Sequence, residues 1–172
     1  VDREDEAIER RVLHALQGLG IAYTRIPIDP EYADTADFCA HYRFPLDHAG
    51  HTIICASKRA PKRYAACVVL ATMRVDLQQT VRQYLGPARV SLANLKEMRA
   101  LTGMMIGGVT PFALPEEVPI YVDERVLHLD YVILGSGSRS SKIKIAPESL
   151  RLLENAHIIA DLGLDSAAPA AR

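Results

Sequence analysis

Between Leu101 and Phe112 the chain reads Leu-Thr-Gly-Met-Met-Ile-Gly-Gly-Val-Thr-Pro-Phe, with three glycines and one proline between a helical pattern and an extended apolar run. So many glycines and a proline in so few residues make the backbone, not the side chains, the working part. Gly103 can stop a helix in the left-handed conformation. Gly107 and Gly108 allow positive φ and close approach of another group to the main chain. Pro111 fixes φ and stiffens the exit. The stretch is either a tight buried turn or a loop that aims N–H and C=O groups at a ligand.

The flanking elements are short. Ile8, Val12, Leu16 and Leu19 predict a helix over about residues 3–19, with Glu and Arg on its other face, stopped by Gly18 and Gly20. Ile21–Ile28 reads as a strand, edge-placed or ended by Pro27. Asp34 or Thr35 can cap a short helix to Tyr42. Thr52–Ser57 and Tyr64–Ala71 read as a hairpin around the basic turn Lys58-Arg-Ala-Pro-Lys-Arg63. Asp76 is expected to cap a helix to about Leu85, and Ser91 a helix from Leu92 to Leu101. Further strands are expected at 118–123 and 131–135. Lys142-Ile-Lys-Ile145 alternates as a half-exposed strand does. Pro147 opens a last helix to about Glu154, and His157–Ala160 is a short final strand.

Strands in hairpins with irregularly placed helices predict an α+β fold, a curved, largely antiparallel, barrel-like mixed sheet surrounded by helices. The length of 172 residues suits one domain. That domain is expected over residues 1–165, with 1–33 as an N-terminal helix and strand extension and 166–172 as a mobile Ala/Pro-rich tail.

Composition excludes several classes. A hydrophobic fraction of 49% and a charged fraction of 24% are ordinary for a globular protein. There is no apolar run of about 18 residues, so no membrane partner is expected, and the charged N-terminus is unlike a signal peptide. Net charge is −1, so any RNA contact must use a local patch. Cys39, Cys55 and Cys67 show no C-x-x-C spacing; Cys55 and Cys67 lie in apolar runs and read as small buried hydrophobes, in a reducing, cytoplasmic setting. His41, His48 and His51 are close in sequence but match no common zinc spacing. No nucleotide-binding motif is present. Neither a metal nor a cofactor is expected.

Five ordered segments resemble the YbaK/prolyl-tRNA-synthetase-associated domain, the family of free-standing aminoacyl-tRNA deacylases. They are Ala36–Ala40; Cys67–Leu70 with Arg74–Leu77; Leu101-Thr-Gly103 followed by Gly107-Gly-Val-Thr-Pro111; Val118–Asp123; and Gly135-Ser-Gly137 through Lys142–Ile145. The resemblance spans about Thr35 to Leu153. It implies a trans-editing deacylase that hydrolyses the ester of a small amino acid mischarged on a non-cognate tRNA, of the tRNA-Pro type. Aminoacyl-tRNA is the implied partner, with an aminoacyl-tRNA synthetase as a further candidate. Such chemistry needs a placed water, stabilisation of the tetrahedral oxyanion and a pocket for small side chains, and fixed backbone dipoles supply the first two.

The implied catalytic set is His51, Gly107, Gly108, Thr110 and Pro111. The implied substrate-binding set is Thr52, Gly103, Ile106, Val109, Gly135, Ser136, Gly137 and Ser138. Lys58, Arg59, Lys62, Arg63, Arg74 and Arg139 are candidates for tRNA phosphates, although a basic turn is equally often just solvated. One departure matters. Better-known members begin the core strand with lysine in a K-T-(I/L) pattern, and here the stretch is His51-Thr-Ile-Ile54. Lys58 does not replace it: seven residues at 3.3 Å each are roughly 23 Å, and an odd offset faces the other side of the strand. His51 can donate a hydrogen bond or act as a base near neutral pH. The alternative is a non-catalytic paralogue that binds aminoacyl-tRNA or a synthetase through the same pocket.

Overall fold

The protein is described from a computed structural model, over residues 2–166. The candidate tail therefore lies, from residue 167, outside the described residues. Helix α1 (Arg3–Gly18) is capped by Asp2, whose carboxylate accepts from the Glu4 amide, and its first turn is acidic, as a helix N-terminus favours. Ile8, Val12 and Leu16 are buried at the expected spacing. The polar face is not all solvated: Asp5 and Glu9 are also buried, against a loop described below.

The chain then forms β1 (Tyr23–Pro27), α2 (Thr35–Tyr42), β2 (Gly50–Ser57), β3 (Tyr64–Leu70) and β4 (Met73–Val75). A wide helical turn over Leu77–Val81, capped by Asp76, leads into α3 (Arg82–Leu85). Next come β5 (Val90–Leu92), α4 (Leu95–Thr102), β6 (Ile120–Asp123), β7 (Val132–Gly135), β8 (Ser141–Ile145), β9 (Ala156–Ile159) and β10 (Gly163–Asp165). Glu124–His128 and Pro147–Leu152 are 3-10 turns.

The strands form three open sheets, ordered β5-β2-β3-β6-β9, β1-β8-β7 and β10-β4. Pairing is largely antiparallel, with β3–β6 and β6–β9 parallel. The α+β class and mixed sheet are as expected. No described sheet closes into a barrel; among the described residues one isolated backbone bridge, Ala49 to Ile133, links the two larger sheets, which also pack side by side in the core.

Two local expectations are corrected. Ser91 does not cap a helix: it lies in β5 opposite Ala56. The cap is Asn94, three residues on, which accepts from the Glu97 amide while the Glu97 carboxylate accepts from the Asn94 amide. That reciprocal pair satisfies two otherwise orphaned donors, which a lone serine cannot do. The second correction concerns β8. The face that carries Lys142 is not solvated: its ammonium is covered by the Ala33 and Gly107 carbonyls and lies near the Phe38 ring, and Lys142 is only 4% exposed.

The main core gathers α1, β2, β3, β6, β7 and β8 around Phe112, Met104, Ile120 and Leu134. Cys55 and Cys67 are fully buried in it. A smaller cluster under α2 holds Ile28, Ala33, Phe38, Cys39, Ala49 and Ile133. Among the described residues no helix is long and apolar enough to cross a membrane.

Candidate active site

The glycine stretch starts as its sequence requires. Gly103 ends α4 at φ 68°, with its amide on the Arg99 carbonyl. Thr102 Oγ donates to the Met98 carbonyl and accepts from the Met104 amide, which ties the exit to the helix. Gly107 has φ 79°, a left-handed value that strains any residue with a side chain. Gly108 is glycine for a different reason. Its φ is not positive, but a methyl group there would fall on the Ser138 carbonyl. Gly135 is equally confined, by the Gly108 and Val109 carbonyls.

The two loops thus meet backbone to backbone. The Met105 amide donates to the Gly137 carbonyl at 2.9 Å, and the Gly137 amide donates to the Gly108 carbonyl at 2.6 Å. Behind them, α1 holds the second loop. The Arg139 amide donates to Asp5 Oδ1 at 2.9 Å, Ser140 Oγ donates to Asp5, and Ser138 Oγ donates to Glu9 Oε2 at 3.2 Å. Arg25 pairs with the other oxygen of Glu9.

In front of the glycine stretch lies a cavity of about 560 Å³, within the range of small-ligand sites. Its floor is β2 from Gly50 to Ile54. One side is Asp34, Thr35, Ala36 and Phe38 at the start of α2; another is Leu92, Ala93, Leu95 and Met98. Ile106, Gly107 and Val109 form the glycine wall, and Ile133, Leu134, Gly135 and Lys142 close it. The lining is mostly apolar, with few polar groups. Leu92, Leu95 and Ile106 are roughly half exposed at the mouth.

Of the sequence candidates, His51, Thr52, Ile106, Gly107, Val109 and Gly135 line the cavity. Gly103, Gly108, Thr110, Pro111, Ser136, Gly137 and Ser138 do not. Gly108 and Gly137 support the wall from behind. Ser136 and Ser138 are fully buried and spend their hydroxyls inside the protein, Ser136 on the Ser141 carbonyl and Ser138 on Glu9. The Thr52 and Thr110 hydroxyls are buried and have no partner among the described residues. Thr52 lies in the cavity floor and Thr110 does not line the cavity.

His51 is mostly buried. Burial lowers its pKa below the ordinary imidazole value, and the charge of Lys142 lowers it further, so the ring is neutral at pH 7. The other two histidines go elsewhere. His41 stacks on Tyr32 with centroids 3.7 Å apart, and His48 bonds Asp47 and Asp130.

Lys142 is the site residue that sequence reasoning missed. Its Nζ donates to the Ala33 carbonyl at 2.5 Å and to the Gly107 carbonyl at 2.6 Å. Burial pushes its pKa down to about 8, with Asp34 opposing and Arg139 adding to the shift. The available signal was the register: Lys142 is opposite Gly135 on β7, on one face of the sheet. Arg139, a tRNA candidate, is instead a clamp. Its guanidinium donates to the Ile106 carbonyl at 2.7 Å, the Pro30 carbonyl at 2.9 Å and Asp34 at 3.4 Å.

The remaining cations lie outside the cavity. Lys58 and Arg59 line a separate cleft of about 300 Å³ with Arg82 and Arg89, and Arg59 and Arg63 line its neighbour. Lys62 pairs with Glu97. Arg74 is exposed on β4.

Residues 29–153 match the aminoacyl-tRNA editing domain, and the chain belongs to that family. It is similar to EbsC of Enterococcus faecalis, a candidate Cys-tRNA(Pro)/Cys-tRNA(Cys) deacylase, at 28% identity over 88 residues, 51% of this chain and 53% of EbsC. It is also similar to the uncharacterized protein YwhH of Bacillus subtilis, 30% identical over 83 residues, 48% of this chain and 52% of YwhH. The chain thus spans about half the length of these relatives. Two solved structures share the fold. The hypothetical protein APE2540 superposes with a TM-score of 0.79 at 23% identity, over 90% of this chain and 99% of that one. A candidate trans-editing enzyme for prolyl tRNA synthetase superposes with a TM-score of 0.76 at 20% identity, over 93% and 97% of the two chains.

Proposed function

We propose that this chain is a trans-editing deacylase that hydrolyses the ester between a small amino acid and the 3′ end of a non-cognate tRNA. The observation that carries this reading is the wall made of peptide groups around Gly107, which lines one mostly apolar cavity together with His51 and Thr52 of β2. A fixed dipole needs no reorganisation as charge develops on the ester carbonyl. The cavity acts as a second sieve, because binding alone separates similar small side chains by only about 1–3 kcal/mol. The activity assigned to EbsC makes cysteine on tRNA-Pro the first substrate to test.

The test is to incubate the protein with tRNA charged with alanine, cysteine, serine or proline and to follow ester loss. Release of at least one above the buffer rate is expected; release of none ends the enzyme reading.

A second reading, a non-catalytic paralogue that binds aminoacyl-tRNA or a synthetase, is favoured by one observation: His51 stands where the resemblance leads one to expect lysine. It predicts binding of charged tRNA without turnover. Under the enzyme reading, His51→Ala lowers turnover at least about tenfold, the scale of removing a polar catalytic group.

A further inference from the structure

We propose that Lys142 is a catalytic residue of this site, presenting from β8 an ammonium N–H to the carbonyl oxygen of the bound ester. This role rests on the deacylase reading and names the group that stabilises its oxyanion.

An ammonium has three N–H groups. Two of them go to the Ala33 and Gly107 carbonyls, and the tetrahedral geometry of nitrogen directs the third away from both. Lys142 lines the cavity, and no described residue accepts that third bond. The Phe38 ring lies 5.8 Å away. The ammonium therefore faces a mostly apolar space while held on its other side by two fixed carbonyls.

No carboxylate touches it. Among the described residues it has no ion pair within 4 Å; the charged and titratable groups that influence it are Asp34, Arg139, Cys39 and His51. Arg139 is itself tied to Asp34. A buried cation bonded only to neutral carbonyls is poorly compensated. Negative charge developing on a substrate oxygen completes the site, and that is the arrangement in which preorganised donors act most strongly.

The step balances without a further reactant. Water oxygen bonds to the ester carbonyl carbon, and the carbonyl electron pair moves onto its oxygen, opposite the Lys142 N–H. That pair then returns, the bond from carbon to the ribose oxygen breaks, and the ribose oxygen takes the proton released by the water. The lysine remains an ammonium throughout. The same residue explains how β2 can carry His51: the cation reaches the cavity from another strand, and it helps keep that imidazole neutral.

The test uses Lys142→Met, Lys142→Arg and the wild type, with folding checked by circular dichroism and thermal melting. The binding probe is 3′-(L-alanylamino)-3′-deoxyadenosine, an amide analogue of the charged end, measured by calorimetry. Turnover of charged tRNA is followed from pH 6.5 to 9 with the buffer blank subtracted. In Lys142→Met, probe affinity is expected to fall at least about tenfold and kcat at least about a hundredfold, the scale of a missing oxyanion donor. The wild-type rate above blank should decline above about pH 8, as the ammonium with its lowered pKa is lost. Lys142→Arg should retain part of the rate without that decline. A folded Lys142→Met that matches the wild type in turnover and probe binding overturns the proposal, as does a wild-type rate that keeps rising through pH 9. If the wild type hydrolyses no charged tRNA, the deacylase reading fails. Probe binding then decides the role of Lys142: a tenfold loss in Lys142→Met sustains the contact, and equal binding, or none by the wild type, overturns it. If Lys142→Met does not fold, the wild-type pH profile decides.

Discussion

The Gly137 amide donates to the Gly108 carbonyl across 2.6 Å, joining two loops that are remote in sequence at the rear of the cavity. Neither residue has room for a side chain: on Gly108 it would meet the Ser138 carbonyl, and on Gly137 the Ile8 and Val12 side chains. Gly108→Ala should therefore destabilise the protein by about 1–3 kcal/mol, the usual cost of overpacking, lowering Tm by about 2–4 °C per kcal/mol. Turnover should fall at temperatures where the variant is fully folded, because the wall itself shifts. Unchanged melting and unchanged turnover would remove the close approach as a constraint.

Thr52 offers the opposite separation. Its buried hydroxyl has no partner among the described residues, so the folded state carries a desolvated group for no internal gain. Thr52→Val should leave Tm unchanged or raise it slightly while weakening probe binding or turnover several-fold. Thermal melting and calorimetry on one preparation check both halves. A variant that is less stable and equally active contradicts the assignment.

His51 gives a pH signature. Its folded pKa lies below the ordinary value, so the unfolded chain binds the proton more readily. The associated stability is fully present above about pH 6.5 and is lost as pH falls through the folded pKa. Urea unfolding at pH 7.5, 6.5 and 5.5 should show wild-type stability declining relative to His51→Gln. Parallel pH dependences in the two proteins would show that the imidazole is not held neutral.

Asp123 contributes to acid sensitivity away from the cavity. Burial raises its pKa, but the Arg125 guanidinium and the Arg125 and Gly163 amides outweigh this and hold it below the usual carboxylate value. A depressed carboxylate contributes stability above its unfolded pKa, near 4, and loses it as pH falls through the lower folded value. Asp123→Asn leaves Arg125 partly buried without its counter-charge and should cost about 3–5 kcal/mol at pH 7, the range for breaking a buried pair. The penalty should shrink below about pH 4, which chemical unfolding across that range measures.

The basic cleft predicts a salt effect. Lys58 follows β2, about 20 Å along the chain from the cavity floor at Thr52, and its amide donates to the carbonyl of Arg89, which precedes β5. Reversing charge with Arg59→Glu and Arg89→Glu should weaken charged-tRNA binding. It should also reduce the slope of log K against log salt by about 0.7–0.9 for each phosphate that the protein no longer neutralises. An unchanged slope places the tRNA backbone elsewhere.

What the sequence disclosed was mostly local. α1 was legible from Ile8, Val12 and Leu16, the hairpin from two apolar runs around a basic turn, and the end of α4 from Gly103. Each rests on neighbours within a few residues. β4 and β10 were not legible, because three-residue strands pair only through partners some 90 residues away, Met73–Val75 against Gly163–Asp165. The same reason hid Lys142. Its alternation with Ile143 fits a half-exposed strand until Ala33, Phe38 and Gly107, all remote in sequence, cover the face it lies on. Ser91 and Asn94 both suit a helix start, and only the pairing of Ser91 with Ala56 removes the first.

The buried carboxylates of α1 set a schedule for the site. Asp5 and the Arg139 amide it holds are 134 residues apart, and at 5–20 residues per second a ribosome takes roughly 7–27 s to deliver the second after the first. Through that interval Asp5 and Glu9 lack their partners at Ser138, Arg139 and Ser140, and the cavity has no rear wall. The nascent chain therefore carries most of its residues before it carries a pocket, and synthesis arrested before β8 yields a protein without a closed cavity.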